Sequence, residues 1–310
     1  FVSPGAWGVT WADLVELDYA HPELRAYVAD VFLFWARNGV DGFRCDAGYM
    51  IPEATWRYVV ARVREEYPDT VFMLEGLGGK LETTDALLGR AGLDWAYSEI
   101  FQTYDRAQFE WYLPKANARA AKFGTLVHFA ETHDNDRLAK GGKTYARLRV
   151  ALAALLSHQG AWGVANGVEW FAEEKIDVHG KNDLNWGASE NMVDLIAKLN
   201  ALLADHPAFA GAVDQELVAR GGGNFLAVAR LVEGAPESAL LVLANLDCNH
   251  PARIDWDRGR FALAETFDIV TAKKVDASNP VELGPGEVLC LRSAVRPDDT
   301  AEKAPVVTPS

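Results

Sequence analysis

The 310 residues are 49% hydrophobic, carry 30 Lys and Arg against 44 Asp and Glu, and have a formal net charge of -14 at pH 7. This is enough apolar material for one large domain and one small one. The acidic balance, without any basic stripe, argues against nucleic acid or an anionic membrane surface as a partner, since either draws on clustered Lys and Arg.

Three cysteines, Cys45, Cys248 and Cys290, are too few and too scattered for a disulfide framework or a zinc site. A reducing, cytoplasmic setting fits, and Cys45 reads as a small buried thiol. The first ten residues hold neither the basic start nor the apolar core of a signal peptide, and no run reaches transmembrane length.

The elements alternate. Residues 22–38 (PELRAYVADVFLFWARN) recur at helical period, with Pro22 at a plausible first position, and end at an Asn38-Gly39 stop. The strand GVDGFRCD follows, then a helix over 53–67, a buried strand TVFMLEG (70–76) and a helix over 81–90. A weak strand DWAYSEI (94–100), a helix over 106–122, a strand GTLVHFAET (124–132), a helix over 143–157 and a strand with its exit loop, GAWGVANGVEW (160–170), continue the series to a last helix over 189–205. Strands alternating with helices of this length indicate parallel βα units. From Gly211 the pattern changes to short β-type runs such as FLAVARLV, ALLVLANL and EVLCLR between turn residues, which predicts a small antiparallel sandwich over 211–295. Residues 296–310 read as a disordered tail.

Spacing identifies the parallel fold. A (β/α)₈ barrel devotes about 31 residues to each unit. Glu75 lies 29 residues after Asp46, and Asp134 lies 59 after Glu75, close to one and two units, and all three stand at strand ends. In a barrel those ends converge on one mouth. Taken singly, each acid is more often a cap or loop residue, His133 a structural histidine, and Arg44 a simple partner for Asp46 on the same strand face. Three acids, an Arg and a His in unit register are improbable as independent accidents. The glycines of LEGLGG leave little bulk beside Glu75 and let backbone approach a ligand.

DGFRCDAGYMIP, FMLEGLGG and ETHDNDR resemble the second, third and fourth signature regions of the alpha-amylase family of glycoside hydrolases (family 13), in order and at that family's separations. The segment leading into the first of them, GAWGVANGVEWF, DLIAKLNALLADHPAF and the β-rich segment after residue 211 resemble the family too, so that residues 9–295 are covered. The resemblance implies Asp46 as nucleophile, Glu75 as general acid and then base, and Asp134 as the carboxylate that stabilises the transition state. Arg44 would keep a buried Asp46 ionised and oriented, and His133 would donate to the sugar. It also implies a retaining mechanism on alpha-glucans through a covalent glycosyl-enzyme intermediate. The alternatives are a transglycosylase using the same acids, a non-catalytic carbohydrate-binding scaffold relative, and a catalytically dead remnant.

Length sets the extent of the fold. Only 45 residues precede Asp46, where the resemblance needs three earlier units, so the expected architecture is α/β: a partial (β/α)₈ barrel of about strands 4–8 in residues 1–210, followed by the sandwich. The chain is accordingly read as the C-terminal portion of a longer enzyme, with the N-terminal half of the same barrel as its partner. No cofactor or metal is assigned within it, and any calcium would come with the N-terminal portion. Among the aromatics, Trp35 and Trp56 are expected in the core by their helical spacing, whereas Trp95, Trp111, Trp162 and Trp170 lie nearer strand ends. Asp41, Asp94 and Asp105 are candidates for capping or ligation.

Overall fold

The computed structural model describes residues 2–6, 8–211, 213–263 and 265–293. They form two compact units, one comprising the residues up to Glu99 with Lys115–Val127, the other Ile100–Pro114 with the residues from His128 onward. The expected tail lies outside the described residues.

The first unit opens with a short antiparallel pair, β1 (Gly5–Ala6) and β2 (Val9–Thr10), followed by α1 (Leu24–Arg37), β3 (Gly42–Cys45), α2 (Glu53–Glu66), β4 (Val71–Leu74), α3 (Leu81–Gly89) and β5 (Trp95–Tyr97). It ends with the last residues of α4 (Arg106–Phe123) and the first three of β6 (Thr125–Phe129). β3, β4, β5 and β6 pair in parallel in that order, as βα alternation requires. The register runs Gly42↔Val71 to Cys45↔Leu74. Side chains alternate between faces along a strand. Phe43 and Phe72 therefore share one face, where Phe32 of α1 stands 4.7 Å from Phe43 and 5.7 Å from Phe72, and 6.0 Å from Trp56 of α2. Trp56 is buried as expected, and its indole N–H donates to the Gly48 carbonyl at 2.9 Å, so the cluster also fixes the chain just beyond β3. Asp94 accepts from Arg64 at 2.7 Å and from the Phe72 N–H at 2.8 Å, and is a structural residue of this unit.

Trp35 departs from expectation. The buried stripe of α1 is Ala29, Leu33 and Ala36, whereas Tyr27, Val31, Phe34 and Trp35 lie on the other side, with Trp35 51% exposed. Helical spacing was right but the face was not, because α1 is apolar on both sides. β3 pairs only with β4 among the described residues, so its other edge is open as well.

In the second unit the last two residues of β6 pair in parallel with β7 (Trp162–Gly163), between which lies α5 (Lys143–Leu155), and α6 (Val193–Asp205) follows. The strand and exit loop expected over 160–170 are present as the two-residue β7 and the segment after it. Gly167 and Phe171 take left-handed backbone (φ 91° and 55°) around a 3₁₀ turn, which ends extended structure there. The 94–100 strand is shortened, giving way to a 3₁₀ turn at Glu99–Gln102. Asp105 caps α4, its Oδ1 accepting the Gln108 N–H at 2.9 Å.

The antiparallel part comprises β8 (Val213–Leu217), β9 (Ala219–Arg220), β10 (Phe225–Val232), β11 (Leu240–Asn245), β12 (Ala252–Trp256), β13 (Glu265–Asp268), β14 (Lys274–Asp276), β15 (Val281–Leu283) and β16 (Val288–Ser293). One sheet has the order β14-β13-β16-β11-β10-β8, the other β15-β12-β9. Phe225, Leu241, Ile254, Trp256 and Leu291 fill the core between them. Arg230 points from the other face of β10, and its guanidinium donates to the carbonyls of Ala208 (2.9 and 2.7 Å) and Leu155 (3.1 Å). Burial pushes its pKa down to about 9. No helix is long and apolar enough to cross a membrane among the described residues.

The aromatic cluster that α1 packs against and the exposed face of α1 should separate in mutagenesis. Phe72→Ala, in the buried cluster, is expected to cost about 3–5 kcal/mol, whereas Phe34→Ser with Trp35→Ser should change stability by only about 0.5 kcal/mol. The double variant should also suppress self-association of the isolated chain, measured by light scattering alongside urea titration. Unchanged self-association would show that the exposed stripe does not drive it.

Candidate active site

Asp46 and Glu75 are placed by one ladder. Cys45↔Leu74 is the last pair of β3 and β4, and the Glu75 N–H continues the ladder by donating to the Cys45 carbonyl at 3.0 Å. Asp46 therefore stands beside Glu75 at the next position, on neighbouring strands about 4.8 Å apart. Alternation puts Arg44, Asp46 and Glu75 on the face opposite the aromatic cluster. Cys45 lies on the other face, where burial pushes its thiol up to about 12, so it is an inert core group.

Glu75 is half-buried and held by two backbone donors. Oε2 accepts the Ala47 N–H at 2.9 Å and Oε1 the Leu77 N–H at 2.8 Å. Ala47 can aim its N–H this way because it sits in the left-handed region (φ 42°). Burial pushes the Glu75 carboxyl above its ordinary range, outweighing those two hydrogen bonds and the Arg44 charge, which act downward. The glycines after Glu75 do something other than the sequence suggested at one position. A Cβ on Gly79 would stand 2.7 Å from the Tyr49 ring, so this glycine makes room for a side chain of the protein.

Arg44 pairs with Asp46, as the strand spacing indicated, and its Nε donates to the Tyr97 hydroxyl of β5 at 3.3 Å. The guanidinium also lies 5.6 Å from the Tyr97 ring centre. Asp46 is not buried: its side chain is 72% exposed, because it projects beyond the last ladder pair instead of lying within the strand. Arg44 thus orients an accessible carboxylate, which corrects the expectation of a buried one. Tyr97 and Tyr49 were missed from sequence. Tyr97 carried a signal, as a strand-end tyrosine in the weak run DWAYSEI one unit after Glu75. Tyr49 had none, and its hydroxyl is pushed up by burial and then by the Glu75 and Asp46 charges.

His133 and Asp134 belong to the second unit, in the loop after β6. His133 is partly exposed, with Nε2 at 3.5 Å from Asp134 Oδ1, and the Asp134 side chain is 77% exposed. Thr132 Oγ1 and Asn135 Oδ1 close the loop at 2.5 Å. The structure therefore brings Arg44, Asp46 and Glu75 together in one unit and sets His133 beside Asp134 in the other. Among the described residues no group of three or more His, Cys, Asp or Glu is placed to hold a metal ion. Of the tryptophans expected near strand ends, Trp95 and Trp111 are exposed, and Trp162 and Trp170 are partly exposed.

Residues 9–86 match the family model for the alpha-amylase catalytic domain. The chain is similar to the alpha-1,4-glucan:maltose-1-phosphate maltosyltransferase of Rhodospirillum rubrum (28% identity over 76% of this chain and 36% of that protein). The Burkholderia pseudomallei protein of the same name is 29% identical over 79% of this chain and 23% of its own length. The chain thus spans well under half of these relatives. Among solved structures, an Anoxybacillus alpha-amylase superposes with a TM-score of 0.73 at 19% identity, covering 91% of this chain and 66% of that one. A maltogenic alpha-amylase from Thermotoga neapolitana gives 0.72 at 18% identity, covering 94% and 70%. These likenesses establish the fold: parallel β/α units of a partial barrel followed by antiparallel sheets.

The raised carboxyl of Glu75 has a measurable consequence. With a folded pKa above the unfolded one, its contribution to stability is complete below the ordinary glutamate value and is lost as pH rises through the raised folded value. Unfolding free energy measured against pH for the parent chain and Glu75→Gln should show the variant lacking this decline. Parallel curves in that window would contradict the assignment.

Proposed function

We propose that this chain, which belongs to the alpha-amylase family, carries the catalytic carboxylates of a retaining enzyme that transfers glycosyl units between alpha-glucans. The reading is carried by one observation: Asp46 and Glu75 are register neighbours in opposite environments, the first accessible and paired with Arg44, the second half-buried and shifted toward its protonated form.

Asp46 attacks the anomeric carbon while Glu75 donates its proton to the departing oxygen, through an oxocarbenium-like transition state. Retaining enzymes hold the two carboxyl groups about 5–5.5 Å apart, in keeping with neighbouring strands. The same Glu75, now ionised, takes the proton of an acceptor hydroxyl as that oxygen displaces Asp46, so two inversions give net retention. Arg44 orients the nucleophile through its contact with Asp46 and its bond to Tyr97. Asp134 would stabilise the positive charge of the transition state, and His133 would donate to a sugar hydroxyl.

Transfer is preferred to hydrolysis because the relatives of about 28–29% identity are named maltosyltransferases. Whether water or a glucan hydroxyl attacks depends on how well the acceptor region excludes water. The test uses the full natural polypeptide with maltose-1-phosphate or maltooligosaccharides as donor, with and without a glucan acceptor. Elongated glucan of retained alpha configuration is expected, with kcat reduced about 10²–10⁴-fold in Glu75→Gln. Free maltose as the sole product would replace transfer by hydrolysis, and unchanged turnover in the variant would remove Glu75 from the acid role.

A further inference from the structure

The loop that presents His133 and Asp134 is gripped at both ends by one carboxylate. Glu131 Oε2 accepts the Leu138 N–H at 2.6 Å, and Oε1 lies 2.8 Å from Nε of Arg137. Both side chains are buried, Glu131 2% exposed and Arg137 not at all. Arg137 then reaches onward, its Nη2 donating to the Asn166 carbonyl at 2.8 Å, which ties this loop to the one after β7. Residues 132–136 form a bow whose ends converge on this pair.

Within the bow Thr132 is buried, whereas Asp134 and Asp136 are exposed. A cavity of about 380 Å³ lies against the bow, lined by Phe101, Tyr104, Asn135, Lys140 and Tyr145 as well as the ion pair itself. Inside the bow the hydrogen bonds are local, from Thr132 to Asn135. The 2.8 Å approach of Arg137 Nε to Glu131 Oε1 is a Coulombic contact without hydrogen-bond geometry between those two atoms, and removing one buried partner leaves an uncompensated charge. The pair therefore holds the two ends of the bow together.

We propose that Glu131 and Arg137 are positioning residues, which touch no substrate and fix the reach of His133 and Asp134 through the loop between them. The proposal rests on reading those two as sugar-facing groups. Displacement of a reacting group by about 1 Å costs on the order of 10²-fold in rate, so the effect should fall on turnover.

Two readouts test it in the full natural polypeptide: amide hydrogen exchange, and kinetics with maltose-1-phosphate and a glucan acceptor. Arg137→Met should accelerate exchange within 132–138 while leaving the rest of the chain protected. It should also lower kcat by about tenfold or more, with KM little changed. Arg137→Lys, which keeps the charge, should recover part of both effects. Should Arg137→Met fail to fold, Glu131→Gln keeps an acceptor for the Leu138 N–H, removes the charge and should give the same signature. Unchanged exchange in the loop, unchanged kcat, or a loss spread over the whole chain without recovery by Lys would overturn the proposal. If the parent enzyme turns over no glucan or glycosyl phosphate, the functional reading fails, and with it the role of the pair in catalysis. The exchange readout would still report whether the pair shapes the loop.

Discussion

The arrangement depends first on the parallel register of β3 and β4. One hydrogen bond, from the Glu75 N–H to the Cys45 carbonyl, carries that register past the last strand pair and sets Asp46 next to Glu75. A slip of one residue would turn every side chain to the other face. It would turn Arg44 and Asp46 toward Phe32 and Trp56, where both charges would be desolvated. Register is held because the Phe32, Phe43, Phe72 and Trp56 cluster can form on one face only. The aromatic core behind the sheet thus fixes the chemistry in front of it.

The same ladder puts two carboxylates in different environments. Glu75 turns back under the Ala47 and Leu77 N–H groups and is half-buried, so water is withdrawn from its charged form. Asp46 projects past the strand end into solvent with Arg44 beside it. Neighbouring acids whose environments pull apart in this way are what a proton donor and a nucleophile need at a common pH.

Much of this was legible in the sequence because it depends on period and spacing. The positions of Asp46, Glu75 and Asp134 beyond β3, β4 and β6 could be read from the unit length of βα repeats, and the change to short strands after residue 211 marked the antiparallel part. What escaped depended on three-dimensional direction. The spacing of Trp35 fits a core helix, but α1 is apolar on both sides and spacing alone does not choose between them. The burial of Asp46 was misjudged because a residue one step past a strand's last pair leaves the wall of the sheet. Glu131 and Arg137 are the first and last residues of ETHDNDR, and nothing in the sequence says that their side chains meet.

The most direct test of the central claim is covalent trapping. The Glu75→Gln variant of the full natural polypeptide, given an alpha-glycosyl fluoride whose departure needs little proton donation, should accumulate a glycosyl-enzyme that the missing base cannot resolve. Peptide mass spectrometry should then place the sugar on Asp46. A glycosylated residue other than Asp46, or turnover of the donor with no covalent adduct and with inverted product, would contradict the account.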